Sequence, residues 1–195
     1  MIHALIKRAS LENPSTPLSD PDVWAYDALG VENSDSGVSV THKTALQSGE
    51  FWRGVNLLAN DVAKLDLNVY RRTDKENGRE KDKTHPAFRI LRRKFNPYLL
   101  AVDGKSTLMG HVLTYGNGYA VIARDGAGRP EGLVLLDPAN TIPIRANGIL
   151  WYVNKHMSES EQVMMRIPSD DVLHIKGLGY DGFMGYDVVS YARQA

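Results

Sequence analysis

The chain has 195 residues, of which 43% are hydrophobic, enough for one real core with a small annex but not for two full domains. Lysine plus arginine and aspartate plus glutamate each number 23, so no overall positive field exists to hold nucleic acid or an anionic membrane by charge alone. Cysteine is absent, which excludes disulfide scaffolds, thiolate zinc sites and cysteine nucleophiles, and the longest apolar runs fall far short of the roughly 20 residues of a membrane helix.

Met1 to Val40 is rich in Ser, Asp, Asn and Pro and reads as a flexible N-terminal arm over 1–40, because it buries too little apolar surface to offset the entropy of ordering. Trp24 is its candidate anchor on a neighbour. The opening MIHALIKRASLENPS carries too short an apolar stretch to be expected to act as a secretory signal. Thr44 followed by Gln47 fits a capping box, and Phe51, Val55, Leu58, Ala59 and Val62 then draw one apolar stripe down a helix ending near Lys64. Leu65, Leu67 and Val69 alternate with polar neighbours and predict an edge-like strand. Arg71 to Lys83 mixes both charges around Asn77-Gly78 and reads as a solvated hairpin or loop.

His85-Pro86 opens a short helix with Phe88 and Leu91 inward, since proline suits the first helical position. Arg89, Arg92, Arg93 and Lys94 form the most basic patch of the chain, a candidate contact for DNA phosphates or an acidic neighbour, against the plainer reading of a solvated helix face. Asn96-Pro97 ends this segment.

Ser106 to Pro130 is the organising stretch. Leu108, Met109, Val112, Leu113 and Tyr115 recur at helix spacing, and Gly116-Asn117-Gly118 breaks the period at a corner. Tyr119, Val121 and Ala123 follow at period two with Ile122 opposite, predicting a strand covered on both faces. Asp125-Gly126-Ala127-Gly128 turns it into a second strand at Leu133 to Leu136. After Asp137-Pro138 the pattern predicts a meander of short strands at Thr141 to Arg145, Ile149 to Val153 and Val163 to Ile167. A buried run follows at Val172 to Ile175, and Asp187 is placed to cap a helix through Tyr191. The fold class expected is α+β, helices packed on short, mostly antiparallel strands, with a main domain over 41–182 and the start of a further helical segment over 183–195.

Chemistry-bearing patterns are few. The six histidines include no pair at the spacing of a helical metal site, so no metal or cofactor is expected. Asp171 and His174 are the nearest approach to an acid/base or metal-ligating pair, set against the reading of His174 as a core imidazole satisfied locally. Gly116-Asn117-Gly118 lies between helix and strand in the reverse of the order that aims a helix N-terminus at phosphate, and no nucleophile-elbow or P-loop motif occurs.

Several motifs nevertheless stand in a telling order. They are Ala45 to Arg71 as helix and strand, His85-Pro86 leading to Asn96-Pro97, Tyr115-Gly116-Asn117-Gly118-Tyr119-Ala120, Leu136-Asp137-Pro138, Asp171 to Ile175, and Asp181-Gly182 to Gly185. Together they resemble tailed-phage portal proteins of the Hong Kong 97 type. Phe95 and Tyr186-Asp187 depart from that pattern. The resemblance implies a subunit of a ring, commonly of twelve copies, at the capsid vertex of the virion, assembled in the bacterial host cytoplasm and without an active site. Its implied partners are further copies of itself, the major capsid or scaffold protein, the terminase large subunit, a head completion or adaptor protein and the double-stranded DNA that passes through, with no membrane contact. The matched part corresponds to the outer wing-like region of a chain about twice as long. Asn96, Pro97, Gly116, Asn117, Gly118, Tyr119, Pro138, His174 and Gly185 then have fold roles: the glycines permit the corner, Asn117 satisfies backbone groups there and Tyr119 anchors the strand. The alternatives from the residues themselves are a nucleic-acid binding module on Arg89 to Lys94 and a small enzyme around Asp171 and His174.

Overall fold

The computed structural model describes residues 40–73, 78–157, 162–179 and 182–192. The arm expected over 1–40, with Trp24, lies outside them apart from Val40. Among the described residues the first helix, α1 (His42–Ala45), is opened by a capping box three residues earlier than the one expected: Thr41 Oγ1 accepts from the Thr44 N–H, and Thr44 Oγ1 accepts from the Thr41 N–H at 2.7 Å. The chain breaks before α2 (Gly49–Lys64) instead of running through as one helix. On α2 Ala59 and Ala63 are buried and Phe51 and Val55 half-buried, while Leu58 is 52% exposed and Val62 39%, so only part of the apolar stripe is covered. The strand expected over Leu65 to Tyr70 pairs only at its end, where the Val69 carbonyl accepts from the Asp82 N–H at 2.9 Å. β1 starts at Tyr70 (Tyr70–Arg72) and forms an exposed hairpin with β2 (Arg79–Lys81), in the region read as a solvated hairpin.

α3 (Pro86–Arg92) has proline at its start and His85 as its cap, the imidazole Nδ1 accepting from the Ala87 N–H at 3.2 Å. Ile90 is its buried residue, with Phe88 and Leu91 partly covered. Two short strands, β3 (Lys94–Asn96) and β4 (Leu99–Leu100), pair across Pro97-Tyr98. α4 (Ala101–Tyr115) begins ahead of Ser106 and ends at Gly116, whose φ of 71° is the left-handed conformation that closes a helix at least cost when no Cβ is present.

From that corner the chain enters β5 (Asn117–Arg124) and returns as β6 (Pro130–Leu136). β7 (Thr141–Ala146), β8 (Ile149–Met157) and β9 (Gln162–Pro168) form the expected antiparallel meander. The next strand does not join it. β10 (Val172–Lys176) crosses to pair with β5, placing β5 at the centre of a three-stranded antiparallel sheet with Leu173 opposite Ala120 and His174 opposite Tyr119. Helix α5 (Val188–Ala192) follows, its first turn capped by Asp187, whose Oδ1 accepts from the Ser190 N–H at 3.0 Å.

The period-two side chains of β5 explain why one strand organises two cores. Ala120 joins Ile90, Phe95, Ala101, Leu108 and Leu133 on the helical side. Tyr119 joins Tyr152, Ile167 and Val172 between the two sheets. Full burial of each large apolar side chain is worth about 1.5–3 kcal/mol, so a strand covered on both faces contributes to both cores. The fold is α+β, as the alternation of helical and strand periods implies.

Backbone approach at the corner makes a paired test. A Cβ on Gly116 would run into the Tyr186 carbonyl besides straining a positive φ, whereas a Cβ on Gly110, in mid-α4, meets nothing. Gly116→Ala is expected to lower unfolding free energy in urea titration by about 2–4 kcal/mol, and Gly110→Ala to raise it by about 0.5–1 kcal/mol.

Candidate functional site

The corner is closed by one side chain. Asn117 Nδ2 donates to the Gly185 carbonyl at 2.9 Å, and Asn117 Oδ1 accepts from the Gly185 N–H at 2.8 Å. The amide thus pairs with a peptide unit as a neighbouring strand would, and Nδ2 also reaches the Tyr115 carbonyl at 3.2 Å. Gly185 has no side chain because the backbones touch: a Cβ there would collide with the Gly116 carbonyl. A Cβ on Gly118 would likewise press on the Leu108 carbonyl and Val112, so α4 folds tightly back on the strand it feeds.

Asn117 Oδ1 fixes the state of His174. Because that oxygen already accepts from the Gly185 N–H, the atom 3.0 Å from His174 Nε2 is an acceptor, and Nε2 carries the proton. Nδ1 then accepts from the Tyr152 hydroxyl at 3.1 Å. Tyr119 packs beside this imidazole with ring centroids 4.5 Å apart and meets Tyr152 edge-on at 5.8 Å. Burial pushes the Tyr119 hydroxyl up to about 12. Burial, helped by the Lys176 ammonium, pushes the His174 imidazole down to about 4, so it is neutral at pH 7.

Asp171 takes no part. Its Oδ1 accepts from Arg124 Nε at 2.6 Å, and the same guanidinium donates to the carbonyls of Asp170 and Gly128. The acid/base pair suggested by sequence proximity is therefore overturned: the short 3-10 turn at Ser169–Asp171 brings Asp171 to Arg124, and both His174 nitrogens are engaged elsewhere. Among the described residues no three carboxylates or imidazoles converge in a metal-binding group.

The other expected fold residues sit at turns. Asn96 Oδ1 accepts from the Tyr98 N–H at 3.0 Å across Pro97, while its Nδ2 donates to the Leu133 carbonyl and ties β3 to β6. Pro138 opens a 3-10 turn capped by Asp137, whose Oδ1 accepts from the Ala139 N–H. The basic patch is divided. Arg92 lies 2.8 Å from Asp66, donates to Asn68 and rests over the Phe88 ring, so it braces the extended segment after α2. Arg89, Arg93 and Lys94 are exposed and make no ion pair among the described residues.

One cluster was missed in the sequence. His42 stacks on Tyr115, centroids 3.9 Å apart, and its Nε2 lies 2.9 Å from the Asp187 carboxylate, joining α1 to the cap of α5 over the corner. Asp187 was legible as a cap; its pairing with a histidine 145 residues away was not.

The imidazole at the centre of this network makes stability pH-dependent. A histidine whose folded pKa is depressed leaves the unfolded chain binding the extra proton between about pH 6.5 and 4, so its contribution is complete above that window and is lost as pH falls through it. Urea titrations should show a loss on the order of 2 kcal/mol from this group, allowing for its partial exposure. His174→Gln should start less stable at pH 7 and show a flatter acid limb; an equally steep limb in the variant would contradict the assignment.

With this geometry in view, relatives are informative. The phage portal protein family model matches residues 50–195. The portal protein of Enterobacteria phage HK97 is 28% identical over 154 residues, 79% of this chain, and the chain spans about a third of that protein's length, 35%. Among solved structures, the neck of an empty gene transfer agent particle computed with C6 symmetry matches with a TM-score of 0.58 at 20% identity, covering 85% of this chain and 44% of that one. The neck of a native gene transfer agent particle computed with C12 symmetry gives 0.58 at 20% identity, over 77% and 38%. A Hong Kong 97 family phage portal protein from Corynebacterium diphtheriae gives 0.54 at 13% identity, over 84% and 46%. The shared fold, together with a family match that runs from the start of α2 through the Gly116 corner to Gly185 and beyond, makes this chain a member of the phage portal protein family.

Proposed function

We propose that the chain is a structural subunit of a portal ring at one vertex of a phage capsid, acting through its surfaces and its rigidity and catalysing no reaction of its own. The carrying observation is the family match over residues 50–195, from which the corner network follows as a means of stiffening a building block. In this reading the body over 41–182 is wing-like and 183–195 begins a further helical segment. The ring forms part of the conduit for packaging and ejection of double-stranded DNA, in the host cytoplasm during assembly and in the virion afterwards. It docks the terminase large subunit, a head completion or adaptor protein, and the major capsid or scaffold protein.

A closed ring needs a head-to-tail contact between two different patches. The flank of α2 supplies one candidate: Leu58 and Leu65 are 52% and 60% exposed, and Val62 lies between them. Such a stripe, set beside the buried Ala59 and Ala63, is what a helix shows when one face is covered within the subunit and the next by a neighbour.

Mass measurement and negative-stain imaging of the complete reading frame are expected to show rings with a central hole, and a well-behaved monomer would end the proposal. Leu58→Asp with Val62→Asp should shift rings to monomers at an unfolding free energy within about 1 kcal/mol of the parent.

A further inference from the structure

We propose that the groove between the end of α3, β3 and the edge of β6 is a binding site for an acidic protein segment that carries apolar residues beside its carboxylates. Arg89 and Lys94 line this groove of about 420 Å³ together with the apolar Pro97, Ala123 and Val134. Neither cation has an ion-pair partner among the described residues, whereas the adjacent Arg92 is held by Asp66 and Asn68. Two neighbouring cations without counterions repel each other, and a bound carboxylate relieves that repulsion.

The groove is built in advance. Asn96 donates to the Leu133 carbonyl and accepts from the Tyr98 N–H, which fixes the β3–β4 turn where Asn96 and Pro97 line the groove. Two features favour a peptide over a nucleic acid. Glu131 also lines the groove, where it would repel phosphates but leaves room for a segment with spaced carboxylates. Between its charged residues the groove is concave and apolar, suited to side chains and not to the convex backbone of a duplex. This inference concerns a different surface from the ring contact and stands whether or not the chain forms rings.

The test is fluorescence anisotropy of the full chain with a labelled peptide of alternating glutamate and leucine. Saturable binding is expected, weakened about fivefold or more by Arg89→Glu and by Lys94→Glu, and little changed by Arg93→Glu, which alters charge by the same amount away from the groove. Glu131→Gln should tighten binding about threefold, a gain that no folding defect can imitate. Absence of saturable binding at low salt, an equal loss with Arg93→Glu, no gain with Glu131→Gln, or displacement of the peptide by duplex DNA at matched charge would each overturn the proposal.

Discussion

The structure depends on a buried amide that stands in for a strand. Asn117 offers a donor and an acceptor in one plane, and Gly185 presents the complementary pair, so three segments that sheet geometry could not join are held together. These are the end of α4, the start of β5 and the backbone leading into α5. A buried donor or acceptor without a partner costs about 1–3 kcal/mol, which makes the arrangement close to all-or-none. Serine lacks the reach and aspartate lacks the donor, so asparagine suits this place for stereochemical reasons. The hydrogen bonds continue through His174 to Tyr152, carrying the corner's position from the central sheet into the second one.

That network explains why both glycines are required. With a side chain at either Gly116 or Gly185 the two backbones would stand further apart, and the amide would lose at least one of its two short contacts to the Gly185 peptide. Helix end, positive φ and close approach are three requirements met at one place. The stack of His42 on Tyr115 then covers the corner from outside and brings α1 and α5 to the same spot through Asp187.

Much of this was legible because it is local. The change from period 3.6 to period two across Gly116-Asn117-Gly118 marks helix, corner and strand whatever lies around them. The hairpin at Asp125 to Gly128, with positive φ at Gly128, is equally local. What stayed hidden depends on distant partners. Val172 to Ile175 has the same pattern whether it extends the meander or crosses to β5, and only the second places His174 against Asn117, 57 residues earlier. The α2 stripe marks its helix but is only partly covered, Leu58 and Val62 facing out, because apolar periodicity reports that a face will be covered, not that the same polypeptide covers it. Asp171 and His174 were drawn together by proximity in sequence, yet the intervening chain turns from 3-10 to strand and gives each a different partner.

The four cations from Arg89 to Lys94 carry this reasoning to the surface. Close in sequence, they straddle the junction of α3 and β3, so they do not act as one electrostatic face. Arg92 is drawn inward because its guanidinium can meet Asp66, Asn68 and the Phe88 ring at once, a set of contacts that fits its planar fork better than an ammonium. Arg89 and Lys94 are exposed and are left beside apolar lining and one carboxylate. In a chain of zero net formal charge, recognition by charge has to be local, and it is strongest where cations without partners border a concave surface.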